Sequence, residues 1–287
     1  MELENQADEL RARGYGIAVI SYDTQDATAQ FSEQNDISFP LLSDVGSETI
    51  RRFGILNPVP EWAFGDNIDD PDVQTDIATY VSVFNPAEMM IGIAFPGTFM
   101  LDTTGRVSSR YFENSYIERN TVSSIVIRLG EAQVPVRATQ VSMPQLELTS
   151  YASEPTIAPG NRFAVMLDIE PNDGMHIYAP GSTDYRIVGL QVESDAPLIV
   201  LPMSYPASTD YYFEPFDETM PVYEEAFELV QELILDGSPQ AQQALRGQES
   251  ITVNGTFEYQ ACSAEICYPP AALELSWTVP LRALVFR

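Results

Sequence analysis

Two runs of alternating side chains meet at the chain's two cysteines, and they restrict the fold more than any other feature. In the first run Ile251, Val253, Gly255, Phe257 and Tyr259 alternate with Thr252, Asn254, Thr256, Glu258 and Gln260. In the second, Leu273, Leu275, Trp277, Val279 and Leu281 alternate with Glu274, Ser276, Thr278 and Pro280. A period of two is the signature of a half-buried strand. Cys262 and Cys267 lie between the runs, with four residues separating them. The sequence therefore predicts a hairpin whose end holds the cysteines, one near each strand. Facing residues on antiparallel strands have Cα atoms about 4.5–5.5 Å apart, which a disulfide can span. Pro269 and Pro270 stiffen the exit and remove two backbone donors.

Spacing alone leaves three readings open: a structural staple, a redox-active pair and a metal site. Metal is the weakest, because two sulfurs and the chain's one histidine, His176, cannot complete a tetrahedral zinc shell. Loop length counts modestly against the staple, since closing so short a loop removes little unfolded-state entropy. A short, solvent-facing bridge is also one that an incoming thiolate can reach.

The stretch Tyr259-Gln-Ala-Cys-Ser-Ala-Glu-Ile-Cys-Tyr-Pro-Pro270 resembles the active-site segment of the N-terminal domain of the thiol:disulfide interchange protein DsbD. The resemblance extends back to about Gln145 and takes in Met175-His-Ile-Tyr-Ala-Pro-Gly181. The transmembrane protein has a five-residue spacer; four residues resemble its stand-alone and fused versions. The resemblance implies an immunoglobulin-like sandwich in the periplasm that passes reducing equivalents through Cys262 and Cys267. It implies a thioredoxin-like or DsbD-type redox partner, and it implies no cofactor. It raises the redox reading above the staple. In position, Tyr211-Tyr-Phe-Glu-Pro-Phe216 matches the loop that shields the cysteines in that family, so Phe213 or Phe216 is the candidate lid; core packing is the alternative for both. His176 and Tyr178 are expected to line the same end of the sandwich, with a satisfied structural histidine as the default. Tyr268 adjoins the site. Glu265, between the cysteines, would raise a thiol pKa if it lies close.

Charge narrows the partners. The chain has 287 residues, 42 of them acidic and 14 basic, for a net charge of −28. Every basic residue is arginine, which excludes a Schiff-base or phosphate-loop lysine. Nucleic acid and anionic membrane both repel such a polyanion. No apolar run reaches the 18 or so residues of a membrane-spanning helix, so no membrane insertion is expected. One histidine makes a Ser-His-Asp triad improbable. The N-terminus, Met1-Glu-Leu-Glu-Asn-Gln6, is acidic and polar, unlike a signal peptide.

The first half reads as alternating helix and strand. Leu3, Ala7 and Leu10 have helical spacing, closed by Gly14. Tyr15 to Ser21 is a short apolar run, read as a buried strand. Asp23 or Thr24 can cap the helix containing Ala27 and Phe31. Ser47 opens another, which stops at Gly54. Phe95 to Asp102 is a strand, turned by Thr103-Thr-Gly105 into Arg106 to Phe112. A last helix carries Val122, Ile125, Val126 and Leu129. The acidic stretch 57–92 includes Asp66, Asp69, Asp70, Asp72 and Asp76, whose spacing fits no EF-hand, and Asp76 to Phe84 is expected to form a short helix.

This half resembles the peroxiredoxin and thioredoxin-like family of the AhpC/TSA type. The residues that carry the likeness are Gly16 to Asp23, Phe39-Pro-Leu-Leu-Ser-Asp44 and Phe95-Pro-Gly-Thr-Phe-Met-Leu-Asp102. The resemblance places Pro96 where the thioredoxin fold has its cis-proline. The family's catalytic cysteine and its central strand would lie upstream of Met1. The expectation is therefore an N-terminally truncated form, whose α/β half is incomplete, exposes apolar edges and has lost its active site and signal peptide. The complete redoxin domain of the parent is then a further candidate partner.

Taken together, the sequence predicts a partial thioredoxin-like α/β domain at 1–130, a linker at 131–144 and an all-β immunoglobulin-like sandwich at 145–287. The sandwich strands are expected at Leu146 to Ser150, Arg162 to Ile169, Ile187 to Val192 and Phe227 to Leu235. One short helix is expected, with Ser238 as cap, Pro239 in the first turn and Gly247 beyond its end.

Overall fold

The computed structural model describes residues 2–64, 71, 74–75, 77–78, 86–112, 119–130, 137–214 and 217–282, with the backbone alone for Glu2 and Arg119. The chain forms two compact units, Met1–Val122 and Ser123–Arg287. The helix Val122–Arg128, read from the sequence as the end of the first half, thus falls almost wholly in the second unit. Its Ile127 packs on a cluster formed by Tyr151, Ala164, Met166 and Val230.

The first unit is a small α/β body. Strands β1 (Val19–Ser21) and β2 (Leu41–Ser43) pair in parallel, Val19 opposite Leu41 and Ser21 opposite Ser43. The apolar run from Tyr15 thus yields a strand only in its last three residues. Between the strands runs helix Gln25–Gln34, and the cap is settled in favour of Thr24, whose hydroxyl accepts from the Ala27 N–H at 3.3 Å. Ser47 does not cap the next helix, Glu48–Arg52. It adopts a left-handed conformation (φ 58°), and its hydroxyl donates to the Gly92 carbonyl at 2.6 Å. The Asp44 carboxylate takes its place, accepting from the N–H groups of Thr49 and Ile50 at 3.1 and 2.9 Å.

Strands β3 (Gly97–Leu101) and β4 (Val107–Phe112) form an antiparallel hairpin. Asp102 Oδ1 secures its turn by accepting from the N–H groups of Thr104 and Arg106 at 2.8 and 3.0 Å. The two strand pairs are separate sheets among the described residues. Ile20 and Leu42, which face each other across β1 and β2, are 42% and 48% exposed, so apolar strand surface is uncovered as the sequence suggested. The cis peptide implied at Pro96 is not observed: the Phe95–Pro96 bond is trans. Pro96 stands just ahead of β3, where its missing N–H removes no ladder bond. Asp66, Asp69, Asp70, Asp72 and Asp76, and most of the helix expected after Asp76, lie outside the described residues.

The second unit is all-β apart from two short helices among its described residues. Its large antiparallel sheet runs in the order β11 (Leu198–Val200), β14 (Phe227–Leu235), β8 (Asn161–Pro171), β7 (Leu146–Ala152), β6 (Thr139–Ser142). Facing it is a three-stranded sheet, β10 (Gly189–Glu193), β15 (Ser250–Tyr259), β17 (Ala271–Pro280). Inward residues of both sheets form one core, with Leu148, Phe163, Leu167, Leu229 and Leu233 from the first and Val253, Phe257, Trp277 and Val279 from the second. This is the sandwich the alternating patterns predict. Gly255 is closely packed: a Cβ there would lie 2.8 Å from Leu190 Cδ1, 3.1 Å from the Trp277 ring and 3.2 Å from the Gln191 carbonyl oxygen, so a side chain would push these neighbours aside. The helix Pro239–Ala244 matches expectation, with the Ser238 hydroxyl accepting from the Ala241 N–H at 3.2 Å and Gly247 at φ 83°.

A third sheet closes one end: β12 (Thr209–Phe213), β13 (Glu218–Tyr223), β9 (His176–Tyr178), β16 (Ala261–Cys262). It corrects the simple hairpin picture. β15 and β17 pair from Ser250–Pro280 to Tyr259–Ala271, and the cysteines lie beyond that ladder, in the connection 260–270. There β16 leaves the hairpin and pairs with β9, placing Ala261 opposite Ile177 and Cys262 opposite His176.

Candidate active site

The connection between β15 and β17 folds into a small turn of its own. The Ser263 N–H donates to the Ile266 carbonyl at 2.8 Å, and the Tyr268 N–H to the Ala261 carbonyl at 3.0 Å. The Ser263 hydroxyl accepts from the N–H groups of Glu265 and Ile266 at 3.2 and 3.1 Å. These bonds bring the two cysteines opposite each other in an antiparallel bridge, with Cα atoms 4.0 Å apart and the sulfurs joined in a disulfide.

The bridge is asymmetric. Cys262 is fully buried, whereas Cys267 is half-buried. Cys262 shares an apolar cluster with Tyr178, Phe213, Met220 and Val222, and Tyr185, Tyr211 and Cys267 pack against it. The β9 backbone supplies Tyr178, whose hydroxyl donates toward Cys262 Sγ at 2.9 Å and lies 3.5 Å from Cys267 Sγ. Tyr185 stacks on the Tyr178 ring at 4.1 Å and 13°, and its own hydroxyl donates to Glu218 Oε2 at 3.4 Å. Burial first, then the neighbouring Tyr185 hydroxyl and the Glu218 charge, push the Tyr178 phenol well above its ordinary pKa. Tyr178 therefore keeps its proton at neutral pH and stays a donor.

Most of the site residues inferred from the sequence meet here. Phe213, at the end of β12, is 5% exposed and packs with the disulfide. Phe216 lies outside the described residues. His176 is 3% exposed, edge-on to Tyr178 at 5.7 Å and tilted against Tyr211 at 4.2 Å. Burial pushes its pKa down, so the imidazole is neutral at pH 7. Tyr268 is half-buried, and its carbonyl accepts from Gln260 Nε2 at 3.0 Å. Glu265 is exposed on the turn. Pro96 belongs to the other unit.

Tyr185, Met220, Val222 and Glu218 were not singled out in advance. Met220 and Val222 carry a signal, the alternation of β13, in which Met220 and Val222 are buried. Tyr185 carries none, because it lies in the loop after Gly181, where no period applies.

The second unit is thus a β-sandwich that holds a disulfide under an aromatic cover at one end, and such a site fits thiol–disulfide exchange. Comparison with known families agrees for both halves. Residues 1–110 match the AhpC/TSA family, and residues 144–276 match the family described as thiol:disulfide interchange protein DsbD, N-terminal. The chain joins an AhpC/TSA-type segment to a DsbD N-terminal-type domain. No curated protein matches the sequence. Solved structures that overlap it include the N-terminal periplasmic domain of ScsB from Proteus mirabilis, at 12% identity and TM-score 0.33, covering 49% of this chain and 49% of that one. This chain's match thus spans about half the length of the ScsB chain. The GAE domain of GGA2p from Saccharomyces cerevisiae overlaps at 10% identity and TM-score 0.28, covering 50% of this chain and 97% of that one. Overlaps this slight have no bearing on fold or function.

Proposed function

We propose that the second unit relays electrons by thiol–disulfide exchange through Cys262 and Cys267 with a thioredoxin-like or DsbD-type partner, in an extracytoplasmic compartment. The asymmetry of the bridge carries this reading. An incoming thiolate needs an accessible sulfur to attack and a stabilised sulfur to expel. Cys267 is the more accessible of the two, and Cys262 has the Tyr178 hydroxyl at 2.9 Å.

The steps follow from that placement. A thiolate of the partner's dithiol attacks Cys267 Sγ, forming a mixed disulfide. The Cys262–Cys267 bond breaks, and its electron pair goes to Cys262 Sγ, whose thiolate accepts a hydrogen bond from Tyr178. The partner's second thiolate attacks its own sulfur in the mixed disulfide and releases the Cys267 thiolate. Two electrons reach this chain, the partner leaves as a disulfide, and solvent protonates the thiolates. The reverse sequence reduces a client. Phe213 and its neighbours cover the bridge until a partner displaces them. A redoxin domain of the AhpC/TSA type is one candidate donor or client. The first half contains no cysteine and takes no part in the thiol steps. An oxidised pair persists in an oxidising compartment, which supports the extracytoplasmic placement.

Redox titration with mass-spectrometric thiol counting tests this reading. A couple that opens reversibly in the folded protein, between roughly −120 and −270 mV, is expected. A bridge that stays closed below about −300 mV would make it a staple, and the unit a binding module.

A further inference from the structure

Next to the disulfide lies an open cleft of about 510 Å³. Four residues with exposed carboxylates line it, Glu170, Asp173, Glu224 and Glu225. None of the four is ion-paired with a described residue. The cleft wall is of a different kind. His176 lines the cleft although the residue is 3% exposed, and its ring nitrogens have no hydrogen-bond partner among the described residues. The ring nitrogens are not among the described buried polar atoms that lack a partner, so they meet the solvent of the cleft, where an incoming donor can replace water. The neutral imidazole offers an acceptor nitrogen, and the Tyr211 ring lines the cleft beside it at 4.2 Å.

The cleft is also tied to the redox site by the backbone. His176 is the register partner of Cys262, and Ala264, from the turn between the cysteines, lines the same space. The cleft thus borders the strand paired with Cys262 and the turn between the cysteines, while neither cysteine lines it.

We propose that this cleft receives a basic side chain, arginine or lysine, that the redox partner carries beside its own cysteines. The inference rests on the exchange reading above and names the chemistry of the partner's docking surface. The rim attracts a cation, the imidazole nitrogen accepts from its N–H, and the Tyr211 face stabilises it as a cation–π partner. Among the described residues no group of three or more His, Cys, Asp or Glu side chains is placed to hold a metal ion.

The chain's single histidine makes the test direct, because His176 gives a unique ring resonance in proton NMR. The probe is acetyl-Gly-Arg-Gly-Arg-Gly-amide, added to the full oxidised chain, with the glutamine analogue as control. The arginine peptide is expected to shift the His176 signal saturably and the glutamine peptide to leave it in place. Glu224→Gln with Glu225→Gln should weaken the apparent Kd at least about fivefold. Glu193→Gln with Glu249→Gln removes the same charge from exposed positions outside the cleft and should leave the Kd unchanged. No shift, or equal weakening by both double variants, would overturn the proposal, the second result pointing to overall charge alone. Dithiothreitol, added in a parallel experiment, separates this idea from the relay. If dithiothreitol opens the disulfide but the arginine peptide leaves His176 unmoved, docking fails alone. If the shift holds but no thiol opens the folded bridge, the relay fails and the cleft stands as a binding site.

Discussion

The Tyr178 hydroxyl lies 2.9 Å from Cys262 Sγ, on the buried side of a disulfide whose other sulfur belongs to a half-buried residue. Under the proposed exchange, this pairing makes Cys262 the sulfur expelled. The phenol stays protonated through the neutral range, because burial and the Tyr185 and Glu218 neighbours oppose its ionisation. It can therefore donate to a thiolate that appears at Cys262, but it cannot act as a base there.

Tyr178→Phe removes that donor and keeps the ring. A hydrogen bond to a charged group is worth about 1.5–3 kcal/mol, so opening of the disulfide by dithiothreitol should slow by roughly tenfold or more. Stability should change little, since the ring and its stacking on Tyr185 remain. Quenched-flow alkylation measures the rate, and thermal unfolding checks the fold. An unchanged rate in a fully folded variant would remove Tyr178 from the mechanism.

Phe213→Ala should act in the opposite direction on the same rate. Phe213 packs on the disulfide from the end of β12, so its loss uncovers Cys262 and lets small thiols in. Truncating a buried phenylalanine costs about 3–5 kcal/mol. The variant should therefore be less stable yet faster to reduce. Phe213→Leu, which keeps most of the volume, separates the two effects: near-wild-type stability with a modest rise in rate. Equal reduction rates in all three proteins would make Phe213 a core residue only.

The sequence made the large features legible because they repeat. Alternation exposed β15 and β17 almost to the residue, and the Ser238, Pro239 and Gly247 signals bracketed a helix correctly. The site itself was legible only through its cysteines and the family likeness. Its architecture depends on β9 and β16, strands of three and two residues, too short to show a period. The contact between Tyr178 and Cys262 spans 84 residues of sequence, so no local rule could announce it. Local chemistry also misled at Ser47, where a good capping residue took a tertiary hydrogen bond to Gly92 and left the cap to Asp44.

The second unit should also show an acid–base signature away from the disulfide. Asp168 on β8 and Glu228 on β14 face each other across the ladder, with the Tyr151 ring beside them. Burial, the Asp168 charge and the hydrogen bond between the two carboxyls push Glu228 up to about 7. Its folded pKa thus exceeds the ordinary value of 4.5, so the folded state holds more protons than the unfolded one between those limits. The protonated pair is fully stabilising below pH 4.5, and that contribution is lost as pH rises toward 7. Both groups are half-exposed, so solvent screens part of the effect. Glu228→Gln keeps a donor facing Asp168 and cannot ionise. It should raise Tm by a few degrees at pH 8, as expected for about 1 kcal/mol in a unit of this size, and leave Tm nearly unchanged at pH 4.5. Thermal unfolding across that interval reads the difference. A Tm offset that does not vary with pH would mean that the two carboxyls do not share a proton.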